Sequence, residues 1–204
     1  MQEAKRTPND VRTARTRKAL VAAARRLFVD KGYGDTGTPE IVDCAGVTRG
    51  ALYHHFADKR AVFRAVVEAE YAALAEAIDN GASTGGTPLA ELKAGAQIYF
   101  DAMQDLGRAR LLLLEGPAVL GVTAMKEIGA ITATATLRDA LAAAMASSEI
   151  PILPLDALTS LIDAAFDRAA LDIAMGAEAA AAISALDALL SGLAALQDPE
   201  KQTR

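Results

Sequence analysis

Tryptophan is absent from this chain of 204 residues, cysteine occurs once, histidine twice, and aromatic residues make up only 4%. The single thiol, Cys44, excludes an internal disulfide. No stretch of roughly 18 uncharged apolar residues occurs, so nothing in the sequence is fitted to span a membrane. The N-terminal run MQEAKRTPND is polar and lacks the apolar centre of a secretory signal. A reducing cytoplasm is the compartment these absences fit. Missing too are a glycine-rich phosphate loop, a cluster of metal ligands and a nucleophile paired with a base. An enzyme is therefore not expected, and no cofactor.

What the chain does have is Ala and Leu, both helix formers, within a composition that is 52% hydrophobic. Its charge is unevenly spread. Residues 1–67 carry 13 Lys/Arg against 7 Asp/Glu, whereas residues 68–204 carry 8 against 19. A basic head on an acidic body places any polyanionic partner at the head alone.

Apolar residues recur at helical spacing almost throughout, and no strand pattern or repeat is visible. The expected fold is all-α, with about nine helices. After a polar arm over 1–11, a first helix runs from Arg12 to Lys31 and stops at Gly32. TPEIVDCAG gives a short second helix, opened by Thr38 and Pro39 and closed by Gly46. Thr48 caps a third, ending near Phe56, and Asp58 a fourth, reaching about Asn80. The Gly/Ser/Thr-rich stretch 80–88 is a connector. Beyond it lie a helix from 87 to 104, a short apolar one closed by Gly116–Pro117, a long one over 118–147 broken near Gly129, and two last helices over 155–175 and 178–196.

Both histidines fall in GVTRGALYHHF, residues 46–56. Side by side they could bind a metal, exchange protons or touch a phosphate backbone. Adjacent helical residues point about 100° apart, so His54 and His55 cannot chelate one ion as an i, i+4 pair would. On the third helix Arg49, Gly50, Tyr53 and His54 share one face, while Ala51, Leu52 and Phe56 share the other and His55 lies between. A short helix, a three-residue glycine turn and a second short helix form a helix-turn-helix, whose second helix enters the DNA major groove. Gly50 then leaves room for the duplex, Tyr53 and His54 can donate to phosphates or base edges, and Arg49 can fork onto guanine.

Residues 15–64 resemble the DNA-binding domain of TetR-family transcriptional regulators. The pattern A-G-V-[ST]-x-G-x-L-Y-x-H-F-x-x-K is met by Ala45, Gly46, Val47, Thr48, Gly50, Leu52, Tyr53, His55, Phe56 and Lys59. The resemblance implies that Tyr53, His54, His55 and Lys59 contact phosphates while Thr48, Arg49 and Gly50 approach the groove. Where the family has a Thr or Ser pair opening the second helix, this chain has Thr36–Gly37–Thr38–Pro39, so either Thr36 or Thr38 supplies the hydroxyl that meets a phosphate.

After the arm over 1–11, which its polarity and lack of periodicity mark as disordered, it further implies a DNA-binding domain over 12–67 with its helix-turn-helix at about 37–56, and a ligand-binding and dimerisation domain over 68–204. The expected protein is a homodimeric, ligand-responsive repressor on a pseudo-palindromic double-stranded DNA operator, with a small apolar effector. The alternative is a DNA-binding regulator that works through protein contacts without a ligand. An apolar cavity would favour the first and a closed, well-packed core the second.

Pocket candidates lie on the helices between 68 and 140: Tyr71, Leu74, Ile98, Tyr99, Met103, Leu113, Met125, Ile128 and Thr132. Glu115 and Asp167 are acids in apolar runs and need partners when buried. Arg110 and Arg168 could serve, or the acids could recognise a cationic or hydroxylated ligand. The wide apolar stripes of the last two helices suit a four-helix bundle across a two-fold axis. Its expected contacts are Leu158, Leu161, Ala165, Phe166 and Ala169 from one helix and Leu186, Leu189, Leu190 and Leu193 from the other.

Overall fold

The computed structural model describes residues 8–82 and 85–196, every element of which is helical, with no strand among them. Helix α1 spans Pro8–Asp35, α2 Thr38–Ala45, α3 Arg49–His55 and α4 Lys59–Ala82. Then follow α5 (Pro88–Met103), α6 (Leu106–Ala109), a π-helical turn (Arg110–Glu115), α7 (Gly116–Leu120) and α8 (Val122–Gly129). The chain closes with α9 (Ala133–Ala146), α10 (Leu155–Ala174) and α11 (Ala179–Ala195). Of the expected arm over 1–11, residues 1–7 lie outside the described residues and Pro8 onward is helical. Proline needs no amide donor in a first turn, so Pro8 can begin α1 as readily as precede it.

Leu20, Ala24 and Phe28 of α1, Ile41 of α2, Leu52 of α3 and Val62 and Phe63 of α4 are buried to the last atom, forming the core of the head. Phe28, Tyr33 and Phe63 pack ring to ring, with centroids 5.0–5.8 Å apart. Gly32 breaks the regularity of α1 with φ 83°. A Cβ there would run into the Arg110 guanidinium and the Glu115 carboxylate, so this glycine serves a close approach as well as a kink.

Helix α4 belongs to both halves. Its first turns pack on α1, and its remainder packs on α5 and α9. A buried ion network joins the halves beside it. Glu70 of α4 accepts from Arg25 of α1 at 2.6 Å and from Arg108 of α6 at 2.9 Å. Because two arginines meet it, this nearly inaccessible carboxyl stays below its usual pKa even though burial pushes the other way.

Gly116–Pro117 does not end the apolar helix as the sequence suggested. The π turn runs straight into α7, where Pro117 occupies the first turn. The break at Gly129 is present: α8 ends there and Thr132 starts a new axis. Among the described residues no helix is long and apolar enough to cross a membrane.

Candidate DNA interface and effector chamber

Helix α3 is presented by two caps. Gly46 ends α2 at φ 66°, a left-handed turn natural to glycine, and the Thr48 hydroxyl accepts from Ala51 N at 3.2 Å. Leu52 and Phe56 anchor the helix in the core, which leaves Arg49, Gly50, Tyr53 and His54 exposed together. The Arg49 guanidinium lies 5.5 Å from the centre of the Tyr53 ring. Hydrogen bonds from Thr38 and Arg49 hold the Tyr53 phenol below its usual pKa, so Thr38 stands beside this face. A Cβ at Gly50 would meet only the Thr48 hydroxyl, at 4.0 Å. The fold does not need that glycine; the space it leaves is outside the protein.

His54 and His55 sit edge to face at 5.3 Å. Burial, with His54 and Arg17 adding, pulls the His55 pKa down, so its imidazole is neutral at neutral pH. Among the described residues no group of three metal-ligating side chains forms around them.

Two residues expected on this face are elsewhere. Thr36 is buried, its hydroxyl donating to Gly32 O at 2.8 Å and Leu27 O at 3.2 Å. Lys59 spends its ammonium on Tyr33 O (2.8 Å) and Thr36 O (2.9 Å) and lies 4.3 Å from the Tyr33 ring centre. Both close the end of α1, whose last carbonyls need donors, and neither is placed as a phosphate ligand. The N-cap of α2 is Gly37, not Thr38; Glu40 accepts from the Gly37 amide at 3.0 Å.

In the acidic half two adjoining voids open around α10. The smaller, about 170 Å³, lies between α4, α5, α9 and α10. The larger, about 370 Å³, lies between α4, the π turn, α7, α8 and α10. Tyr71, Asp163 and Asp167 line both. Of the expected pocket residues, Tyr71, Tyr99, Leu113, Met125 and Asp167 line a void. Leu74, Met103 and Ile128 are fully packed core, because their helices turn these positions toward neighbours. Ile98 points at Gly81, and Thr132 bonds back to Ile128 O at 2.7 Å. Glu115 is not in the chamber either; it pairs with Arg110 at 2.8 Å and accepts from Tyr33 N at 3.1 Å.

Asp167 has no such cation. It accepts from the Tyr99 hydroxyl at 2.8 Å, while Arg168, which also lines the larger void, pairs with Asp172. Asp163, one turn earlier, accepts from the Thr134 hydroxyl at 3.3 Å. Burial pushes both carboxyls above the usual range, Asp167 to about 6, and pushes the Tyr71 and Tyr99 phenols up as well. The sequence reading did not place Asp163 in the pocket. Its signal was available: two acids four apart in LIDAAFDRAAL, on a helix that buries Phe166.

Comparison with known proteins follows this division. Residues 20–66 match the family model described as bacterial regulatory proteins, tetR family. Residues 89–193 match that of the tetracyclin repressor-like C-terminal domain. The chain belongs to the TetR family. It is 32% identical to the transcriptional activator FasR of Mycolicibacterium smegmatis over 114 residues, 56% of this chain and 50% of FasR. It is 43% identical to the transcriptional repressor BepR of Brucella suis over 54 residues, 26% of each. The chain thus spans half or less of the length of these curated relatives. Among solved structures, a TetR-family regulator from Pectobacterium atrosepticum superposes with TM-score 0.71 at 28% identity, covering 92% of this chain and 97% of that one. FadR from Bacillus subtilis, solved with stearoyl-CoA, has the same fold, with TM-score 0.73 at 19% identity, covering 85% and 96%.

As a TetR-family chain, the protein is a DNA-binding transcriptional regulator. Its last two helices divide the expected dimer residues in two. Phe166 faces inward, packed on Tyr99 and Phe100 with ring centroids 5.7 and 5.6 Å away. Leu186 and Leu190 are buried against the same core, since α11 packs on α5 and α10. These three are corrected from interface to core. Leu161 and Leu189 remain outside, 70% and 57% exposed, with Leu158, Ala165, Ala169 and Leu193 partly covered.

Proposed function

We propose that this regulator is a homodimeric, effector-responsive repressor on a pseudo-palindromic operator. Residues 12–67 read the DNA, and residues 68–204 hold the effector and the dimer contact. The observation that carries the reading is the chamber around Tyr71, Asp163 and Asp167, opened beside the same helix α4 that builds the core of the DNA head. A regulator without a ligand has no use for such a void, which forgoes packing contacts. FadR, a relative in fold, holds stearoyl-CoA, which supports an effector site in this architecture.

A path from chamber to head also exists. Pro117 lines the larger void, and the carbonyls of Val119 and Leu120 at the end of α7 accept from Arg60 at 3.1 and 3.0 Å. Arg60 follows Lys59, which holds the end of α1. An effector that prefers one setting of α7 therefore biases the spacing of the two heads, and by linkage lowers operator affinity by no more than that preference.

The test is binding to the duplex upstream of the protein's own gene, with half-site centres about 34–36 Å or a multiple apart. Arg49→Ala should relax base preference at one position of each half-site. Gly50→Ala should raise stability by about 0.5–1 kcal/mol and yet weaken operator binding at least tenfold, because the new methyl occupies the space left for the duplex. Unchanged operator affinity in both variants would overturn the assignment of this face.

A further inference from the structure

Among the described residues, the buried Glu70 and the part-buried Glu115, Asp163 and Asp167 fall into two groups. Glu70 meets two arginines, and Glu115 meets Arg110. Asp163 and Asp167 meet only neutral hydroxyls, those of Thr134 and Tyr99, and among the described residues neither has an ion-pair partner. A cation was available one residue away, yet Arg168 is committed to Asp172 at 2.6 Å. Two carboxylates one turn apart share a face of a helix and repel each other, and an unpaired buried charge is costly. Here that face forms the wall of a cavity.

The smaller compartment has a consistent sign. Asp79 and Glu91 join Asp163 and Asp167 on its lining, and among the described residues no Lys, Arg or His does. The rest of the wall is apolar and aromatic, including Tyr99 and Phe166. A void of about 150 Å³ is enough for a benzene ring, so the roughly 170 Å³ here takes a ring or a short alkyl chain. Aromatic faces attract cations, most strongly away from water.

We propose that the chamber binds an organic amine in its protonated form, its ammonium seated between Asp163 and Asp167 and its apolar body in the adjoining voids. This rests on the effector-sensing reading above and names the chemistry of that effector. The ammonium supplies the positive charge that Arg25, Arg108 and Arg110 supply to Glu70 and Glu115. In the smaller compartment a carboxylate of the same shape meets four acids and no base, since Lys126 and Arg168 line only the larger void.

The experiment compares three probes with one chain and different heads: octylamine, 1-octanol and octanoate, titrated calorimetrically into the full-length protein without DNA. Octylamine should bind at least tenfold more tightly than octanol, and octanoate most weakly. Asp163→Asn combined with Asp167→Asn keeps the shape and the hydrogen-bond acceptors; it should abolish the preference for the amine while leaving octanol affinity within about threefold. Octanol or octanoate binding as tightly as the amine overturns the proposal. So does an amine affinity that the double variant leaves unchanged, or no binding by any of the three. Operator release is measured separately. An amine that binds as described but does not displace the operator leaves the site standing and overturns the sensor reading instead.

Discussion

At the scale of single residues, environment outweighs identity. Asp163, Asp167, Glu70 and Glu115 are all acids in helical surroundings, yet burial raises the pKa of the first two while the arginines keep Glu70 below its usual value. The Asp167 carboxyl, pushed up to about 6, favours its protonated form in the folded state. Its contribution to stability is therefore fully present below the unfolded carboxylate range near pH 4 and is lost as pH rises through about 6. Asp167→Asn removes that loss while the amide oxygen still accepts from Tyr99. The variant should be more stable than the parent by about 1–3 kcal/mol at pH 7.5, with the advantage fading toward pH 4. Thermal unfolding of both proteins across that range checks it, and a pH-independent difference would contradict the assignment. The sequence marked Asp167 as an acid needing a partner but gave Arg168 as a candidate. Residues i and i+1 on a helix do not face each other, which is why Asp172, four residues on, takes the arginine.

Single elements were legible where local chemistry decides them. Thr48 caps α3, Gly46 ends α2 and Leu52 with Phe56 buries the inner face of α3, all read directly from spacing. Lys59 was not legible. Its position in the motif gives it to DNA, but the turn between α1 and α2 leaves carbonyls that only a neighbouring element can satisfy, and Lys59 is the first residue of α4. Lys59→Met should therefore cost about 2 kcal/mol of stability through lost charge-assisted hydrogen bonds. The slope of operator affinity against salt should stay unchanged, where loss of a phosphate contact would lower it by about one. Denaturant unfolding and a salt titration of operator binding separate the two.

The whole molecule presents an apolar face that the other described residues leave uncovered. Leu161 of α10 and Leu189 of α11 are exposed, next to the buried Ile162 and Leu190 on the same helices. The proposed dimer places that face against its own copy. Leu189→Arg should then yield a folded monomer, because the charge disrupts only the contact between chains. Leu190→Arg, one residue on and 1% exposed, should unfold the protein, since an unpaired buried charge costs about several kcal/mol. Sedimentation gives the first result and circular dichroism the second. A parent protein that sediments as a monomer at micromolar concentration, or a Leu189→Arg variant that remains a dimer, would rule the interface out.

By itself the sequence determined the helical class, the Gly46 end of α2, the Thr48 cap of α3 and the exposed face of α3, though not the Gly37 cap that opens α2. Each depends on residues within a few positions of one another, where helical period and capping chemistry act without reference to the rest of the chain. The tertiary structure decided everything that depends on which elements meet. It turned Thr36 and Lys59 inward to the end of α1, paired Glu115 with Arg110, packed Phe166, Leu186 and Leu190 into the core, and left Asp163 and Asp167 without a cation. Periodicity says which face of a helix is apolar, but a wide apolar stripe has two sides. Only the packing of α10 and α11 on α5 and α9 settles which side is core, which lines a void and which is left for a partner.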